Sequence, residues 1–172
     1  MSNQVTVDEL FDMAIRAEKI AEEMYRRWQA EFAPHSDVAR FWRNYAAAEV
    51  GHAQALRHIR EALSPEQLAA PADAETAAGA QRLLKFPIEK ALQEVKTLED
   101  AYELANEIES GETHVVFEFL IIHFASDVQA QSMIRSQLRD HVAKISTGFP
   151  ARFRSSASRM AIKAAGEGAT GE

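Results

Sequence analysis

From Thr6 to Ala33 the chain carries neither a glycine nor a proline, and three later segments are almost as free of them. The Gly (7) and Pro (5) that do occur fall mostly between stretches rich in Ala, Glu, Leu, Arg and Gln, residues that lose little on entering a helix. Apolar residues recur along these stretches at three- and four-residue spacing, which predicts an all-α protein. The first helix opens at Thr6-Val7-Asp8-Glu9, where the Thr oxygen and the Glu carboxylate can satisfy orphan amides reciprocally, and should run to about Phe32, before Pro34. Its stripe is Leu10, Ala14, Ala17, Ala21, Met24/Tyr25, Trp28 and Phe32. The second starts near Ser36-Asp37, follows Val38, Trp42, Tyr45, His52, Leu56 and Ile59, and stops at Ser64-Pro65. So short a loop pairs the two as an antiparallel hairpin.

Residues 64–97 change character and read as a crossover, with one short helix expected in KFPIEKALQEV. Thr97-Leu98-Glu99-Asp100 then opens a third long helix to about Phe124, through Ala101, Ala105, Ile108, Val115/Val116 and Phe119. Ser126-Asp127 caps a fourth, reaching about Ile145 with Ala130, Ile134, Leu138, His141 and Ile145 on one face. Two antiparallel hairpins joined by a long crossover make a four-helix bundle over residues 1–148. The locally basic remainder, 149–172, reads as a flexible or partner-docked tail.

Composition narrows the function. At 172 residues the chain reads as one domain with a real core. Its net charge of -7 argues against a nucleic-acid surface and would draw cations. With no cysteine there is no disulfide frame and no thiolate metal site, so carboxylate and imidazole are the metal ligands on offer. The start MSNQVTVDEL has neither a basic nor an apolar leader region, and no apolar run approaches the roughly 20 residues of a membrane span. A cytoplasmic protein without a membrane or nucleic-acid partner is expected.

Polar groups interrupt the stripes. Glu18 shares a face with Ala14, Ala21 and Tyr25; Glu49 and His52 lie between Tyr45 and Leu56. Burying an unpartnered charge costs several kcal/mol or forces a pKa shift, so something should meet these groups. On the third helix Glu109 follows Ala105 as Glu18 follows Ala14, and Glu112 lies one turn on; the face admits both, and the repeated Ala-x-x-x-Glu spacing favours Glu109. His123 extends that line, and His141 is the inward imidazole of the fourth helix. Chance alone supplies fewer than one Glu-x-x-His pair in a chain of this make-up, so position rather than frequency carries the reading. A helix holds i and i+3 about 5 to 6 Å apart, which lets both groups bind one ion. The bland alternatives are an intrahelical Glu49–His52 pair, a rim position for Glu18 and hydrogen-bonded core or edge histidines at 123 and 141. Glu22, Glu23, Glu107, His58 and His114 read as solvated, and His35 as a turn residue.

Three segments, AIRAEKIAEEMY, AAAEVGHAQAL and AYELANEIESGETHVVFEFL, carry a resemblance to the ferritin-like superfamily, closest to the rubrerythrin-type bundle without a rubredoxin domain. It covers about residues 6 to 146. Such proteins take one Glu from each of two helices and a Glu-x-x-His from each of the other two to hold two iron or manganese ions. The resemblance implies Glu18, Glu49, His52 and Glu109 as ligands. His141 matches the fourth-helix imidazole, but Leu138 stands where a bridging Glu is expected, and only a π-bulge would turn Gln137 or Asp140 inward. The implied cofactor is iron, one or two ions, with manganese or zinc as alternatives. The implied activity is a di-iron oxidoreductase acting on peroxide or Fe(II), with Tyr25 supplying a proton or an electron and an external donor supplying electrons. The rival is a binding or scaffold bundle with a degenerate or single-ion site. A homodimer is expected, because Phe117, Phe119, Phe149 and Phe153 exceed what one bundle axis uses.

Overall fold

The computed structural model describes residues 4–109 and 111–150; the side chains at 112–114, 130 and 146 are also outside the description. Eight helices and no strand occur among the described residues. They are α1 (Val7–Glu31), α2 (Ser36–Glu61), α3 (Pro65–Ala69), α4 (Ala74–Lys85), α5 (Ile88–Glu94), α6 (Leu98–Glu109), α7 (Glu112–Phe124) and α8 (Val128–Gly148). None is long and apolar enough to cross a membrane.

Local chemistry sets the ends. Thr6 accepts from the Glu9 amide at 3.2 Å and Glu9 accepts from the Thr6 amide at 2.8 Å, the reciprocal cap expected for α1. Asp127 accepts from the Gln129 amide at 2.8 Å and starts α8. Arg60, near the end of α2, reaches Asp8 and Asp12 near the start of α1, both at 2.7 Å, so these helices run antiparallel.

Two expectations are corrected. The third helix does not run unbroken to Phe124 but divides into α6 and α7. Gly111 lies at the break: its amide donates to the Ile108 carbonyl at 3.2 Å, and a Cβ there would stand 3.0 Å from the Glu107 carbonyl oxygen. A residue with a side chain would have to move the helix end. The crossover holds three helices rather than one, because Ser64 and Asp73 both cap, and α4 lies against α1 and α7. Its small face, with Ala77, Gly79 and Ala80 buried, read from sequence as linker.

The chain runs can be followed from what each packs against. The crossover clasps the start of α1 through Val7 amide to Ala70 carbonyl, 2.9 Å, and Ala72 amide to Val5 carbonyl, 2.8 Å. It ends near the foot of α1, where Arg27 meets Glu89 at 3.0 Å. The α6–α7 pair then climbs from Tyr102 at the foot to Phe124, which packs edge-on against Phe11 at 5.7 Å. The last helix returns, and Phe149 is buried beside Tyr102, Trp42 and Phe41. Phe149 is thus part of the core; residues 151–172 of the expected tail lie outside the described residues.

The apolar interior is in two pieces. One gathers Leu10, Phe11, Leu56, Phe117, Leu120 and Leu138; the other gathers Tyr25, Trp28, Trp42, Tyr45, Tyr102 and Phe149. Each long run crosses from one to the other at a polar residue: Glu18 between Ile15 and Ala21, Glu49 between Ala46 and Ala53, Glu109 between Ala105 and Val116, His141 between Leu138 and Ile145. A layer of ligand-type side chains separates the halves.

Candidate metal centre

The helical register that builds the stripes carries their polar members inward with them. Glu18 and Glu49 are 2 % and 3 % exposed and His141 6 %, burial rare for such groups unless they are paired. His52 lies one turn after Glu49 on the same face of α2. Glu109 is the last residue of α6, where the negative end of the helix dipole disfavours a carboxylate.

These five side chains meet. His52 Nδ1 lies 2.9 Å from Glu49 Oε2 and 3.3 Å from Glu18 Oε2. His141 Nε2 lies 2.9 Å from Glu49 Oε1 and 3.2 Å from Glu109 Oε2. Glu49 therefore stands between two half-sites, giving one oxygen to each. Glu18 and His52 complete the first, Glu109 and His141 the second. The imidazole rings are 5.0 Å apart, and ligand atoms of Glu49, His52 and His141 all fall within 4.8 Å of one another. Glu18, Glu49, His52 and Glu109 border a cavity of about 10 Å³, the scale of one water or one ion.

Burial pushes the Glu18 carboxyl well above the usual range, and Glu49 beside it pushes further, against the pull of His52. For Glu49 burial acts upward too, but His141 and His52 outweigh it and hold the acid below the ordinary carboxylate range. Burial would lower both imidazoles; instead Glu18 and Glu49 push His52 up to about 10, and Glu109 and Glu49 push His141 up to about 9. Without metal the layer is therefore held by protons on its histidines.

A divalent cation fits this donor set. Among the described residues four buried side-chain polar atoms have no hydrogen-bond partner, and three are here: Glu18 Oε2, Glu49 Oε1 and His141 Nε2. His141 Nε2 is near two carboxylates yet aligned for a hydrogen bond with neither. Ion pairing at 2.9–3.3 Å meets these atoms only in part, and coordination to a cation would meet them with directional bonds. Oxygen and nitrogen donors of this kind suit Fe(II), Mn(II) and Zn(II).

The remaining candidates separate clearly. Tyr25, fully buried, donates its hydroxyl hydrogen to Glu109 Oε1; burial and the Glu109 charge raise its pKa, so the phenol keeps its proton. Glu112 opens α7, and its side chain lies outside the described residues, as does that of His114. His123 is exposed and packs on Phe119 at 4.3 Å, away from the centre. Leu138, 5 % exposed, borders the cavity, while Gln137 and Asp140 are exposed on an uninterrupted α8. The π-bulge that would have turned either inward is absent there, so the side chain that α8 brings to the layer is His141. Glu23, Glu107 and His58 are exposed, as their positions predict.

Sequence reading passed over the supports. Tyr45 packs on His141 at 4.4 Å and donates to the His141 carbonyl at 2.7 Å, tying α2 to α8. Phe117 packs on His52 at 5.1 Å. The position of Tyr45 one turn before Glu49 was the available signal for its role. The chain matches no protein-family model, no curated protein and no solved structure.

Proposed function

We propose that this chain is a ferritin-like, rubrerythrin-type protein whose Glu18, Glu49, His52, Glu109 and His141 hold one or two divalent transition-metal ions. The observation that carries the reading is the convergence of these groups from α1, α2, α6 and α8 on one interior layer, with three of their buried polar atoms ion-paired but without an aligned hydrogen bond. The succession of long runs, two before the crossover and two after it, supports the bundle assignment.

Iron held there would supply redox chemistry toward peroxide or Fe(II). The chain's own residues set the conditions. Glu49 bridges the half-sites, and the imidazoles must lose their protons for an ion to enter. Tyr25 orients Glu109 and keeps a proton within one hydrogen bond of the layer. Ala21, Ile108, Phe117 and Leu138 form the apolar part of the cavity wall. An oxidoreductase of this kind would take electrons from a separate donor, since the chain has no cysteine for a built-in thiolate centre.

Leu138 favours a second reading, a non-catalytic bundle with a single structural ion. Anaerobic reconstitution with Fe(II), removal of excess metal, and measurement of bound metal and peroxide consumption separate the two. Two irons with turnover support the oxidoreductase; one zinc, or no turnover, supports the scaffold. Within the proposal the protein is a homodimer. Phe117 and Phe149 no longer argue for it, being buried within the chain, but Val115 and Ile122 leave an apolar face of α7 exposed. Gel filtration distinguishes a dimer from a monomer and from a storage cage.

A further inference from the structure

A centre whose ligands are almost all buried needs a way in, and two cavities adjoin it. One, about 430 Å³, lies between α1, α4 and the end of α6; it shares Ala21 and Ile108 with the site cavity. Its other walls are chiefly apolar, Ile20, Met24, Leu83 and Phe86 among them, with Arg82 and Glu107 as the charged members and no imidazole, so the lining offers a hydrated cation less to replace its water. The second, about 310 Å³, lies between α2 and α8 and shares His52 and Phe117 with the site cavity. Here His52 and His141 both form part of the wall, and Gln137, Asp140 and Lys144 supply polar groups. On the α2 side Ala48, Gly51 and Ala55 leave the groove open. Gly51 is exposed, its φ is not positive, and a Cβ added there would meet nothing within 4 Å, so neither backbone nor packing requires a glycine. His141, buried with its Nε2 between the Glu49 and Glu109 carboxylates, closes the inner end.

Resting on the metal-binding reading above, we propose that the α2–α8 groove is the entry port for the divalent cation, with Gly51 setting its width and His52 and His141 forming its inner door. Asp140 offers a carboxylate to an ion still carrying water, and the imidazoles are the next ligands inward. The order of binding follows: the His-lined side is met first, Glu18 and Glu109 afterwards.

The test is the rate at which metal-free protein takes up Co(II), followed by its visible absorbance after rapid mixing. Gly51→Trp should reach the wild-type stoichiometry but load at least roughly tenfold more slowly, equal to about 1.4 kcal/mol of added barrier. Gly51→Gln, a second plug made of a good helix former, should slow loading in the same direction. Gly51→Ala, and Ile20→Trp, which narrows the apolar cavity, should load at the wild-type rate. Wild-type loading by both plugged variants, or slowing by Ile20→Trp alone, would overturn the port while leaving the metal centre standing. Failure of the unsubstituted protein to take up Co(II) would overturn both.

Discussion

Glu49 is the residue on which both half-sites depend, because each of its oxygens faces a different imidazole. Replacing it by Gln leaves two buried imidazolium groups short of a counter-charge, which should cost about 3–5 kcal/mol in urea unfolding of the metal-free protein and abolish stoichiometric metal binding. Glu18→Gln and Glu109→Gln should each remove one half-site only, which metal analysis after dialysis would register as partial loss. Tyr25→Phe keeps the ring packing against Trp28 and Trp42 but loses the hydroxyl on Glu109; metal affinity should fall roughly 10–100-fold. The histidines give the pH dependence its sign. Their folded pKa values of about 10 and about 9 lie above the ordinary 6.5, so their stabilisation is full below about pH 6.5 and is lost as pH rises through 9 to 10. Thermal stability with chelator present should therefore fall between pH 7 and 10, whereas metal affinity should strengthen over the same range as fewer protons must leave.

The helices differ in how plainly the sequence announced them. Those with a reciprocal cap or an Asp cap before a long stripe at helical spacing, α1 and α8, lie close to where their residues predict. The α4 helix was hidden because its inward face is Ala and Gly, which produce no hydrophobic stripe, and its cap, Asp73, stands in a segment that otherwise reads as linker. The break at Gly111 was hidden for the opposite reason: apolar spacing continues across it, so periodicity alone cannot register a local rewinding. The inward positions of Glu18, Glu49 and His141 were legible because helical register fixes the face. The choice of Tyr45 and Phe117 as supports was not, since it depends on which helices become neighbours. Within α2, Gly51→Ala should raise stability by roughly 0.5–1 kcal/mol in chemical denaturation, because the site has open space and ordinary helical φ. On α8, Leu138→Glu would put an acid beside the cavity. It should destabilise the metal-free protein by roughly 3 kcal/mol or more, and added metal should recover most of that loss.

At the scale of the molecule, a continuous apolar core would be the cheaper way to join these helices, yet a charged layer divides it in two. The metal-free fold offsets that layer with protons on His52 and His141; a divalent ion would do so while also giving directional bonds to the three atoms that lack an aligned hydrogen bond. Crystals of the protein grown with Fe(II) or Co(II) and measured at the absorption edge of that metal address this directly. The expected result is an anomalous peak within about 2.0–2.2 Å of Glu49 oxygen and an imidazole nitrogen of His52 or His141. A fully loaded crystal with density for metal only at surface carboxylates, and none in the layer, would contradict it.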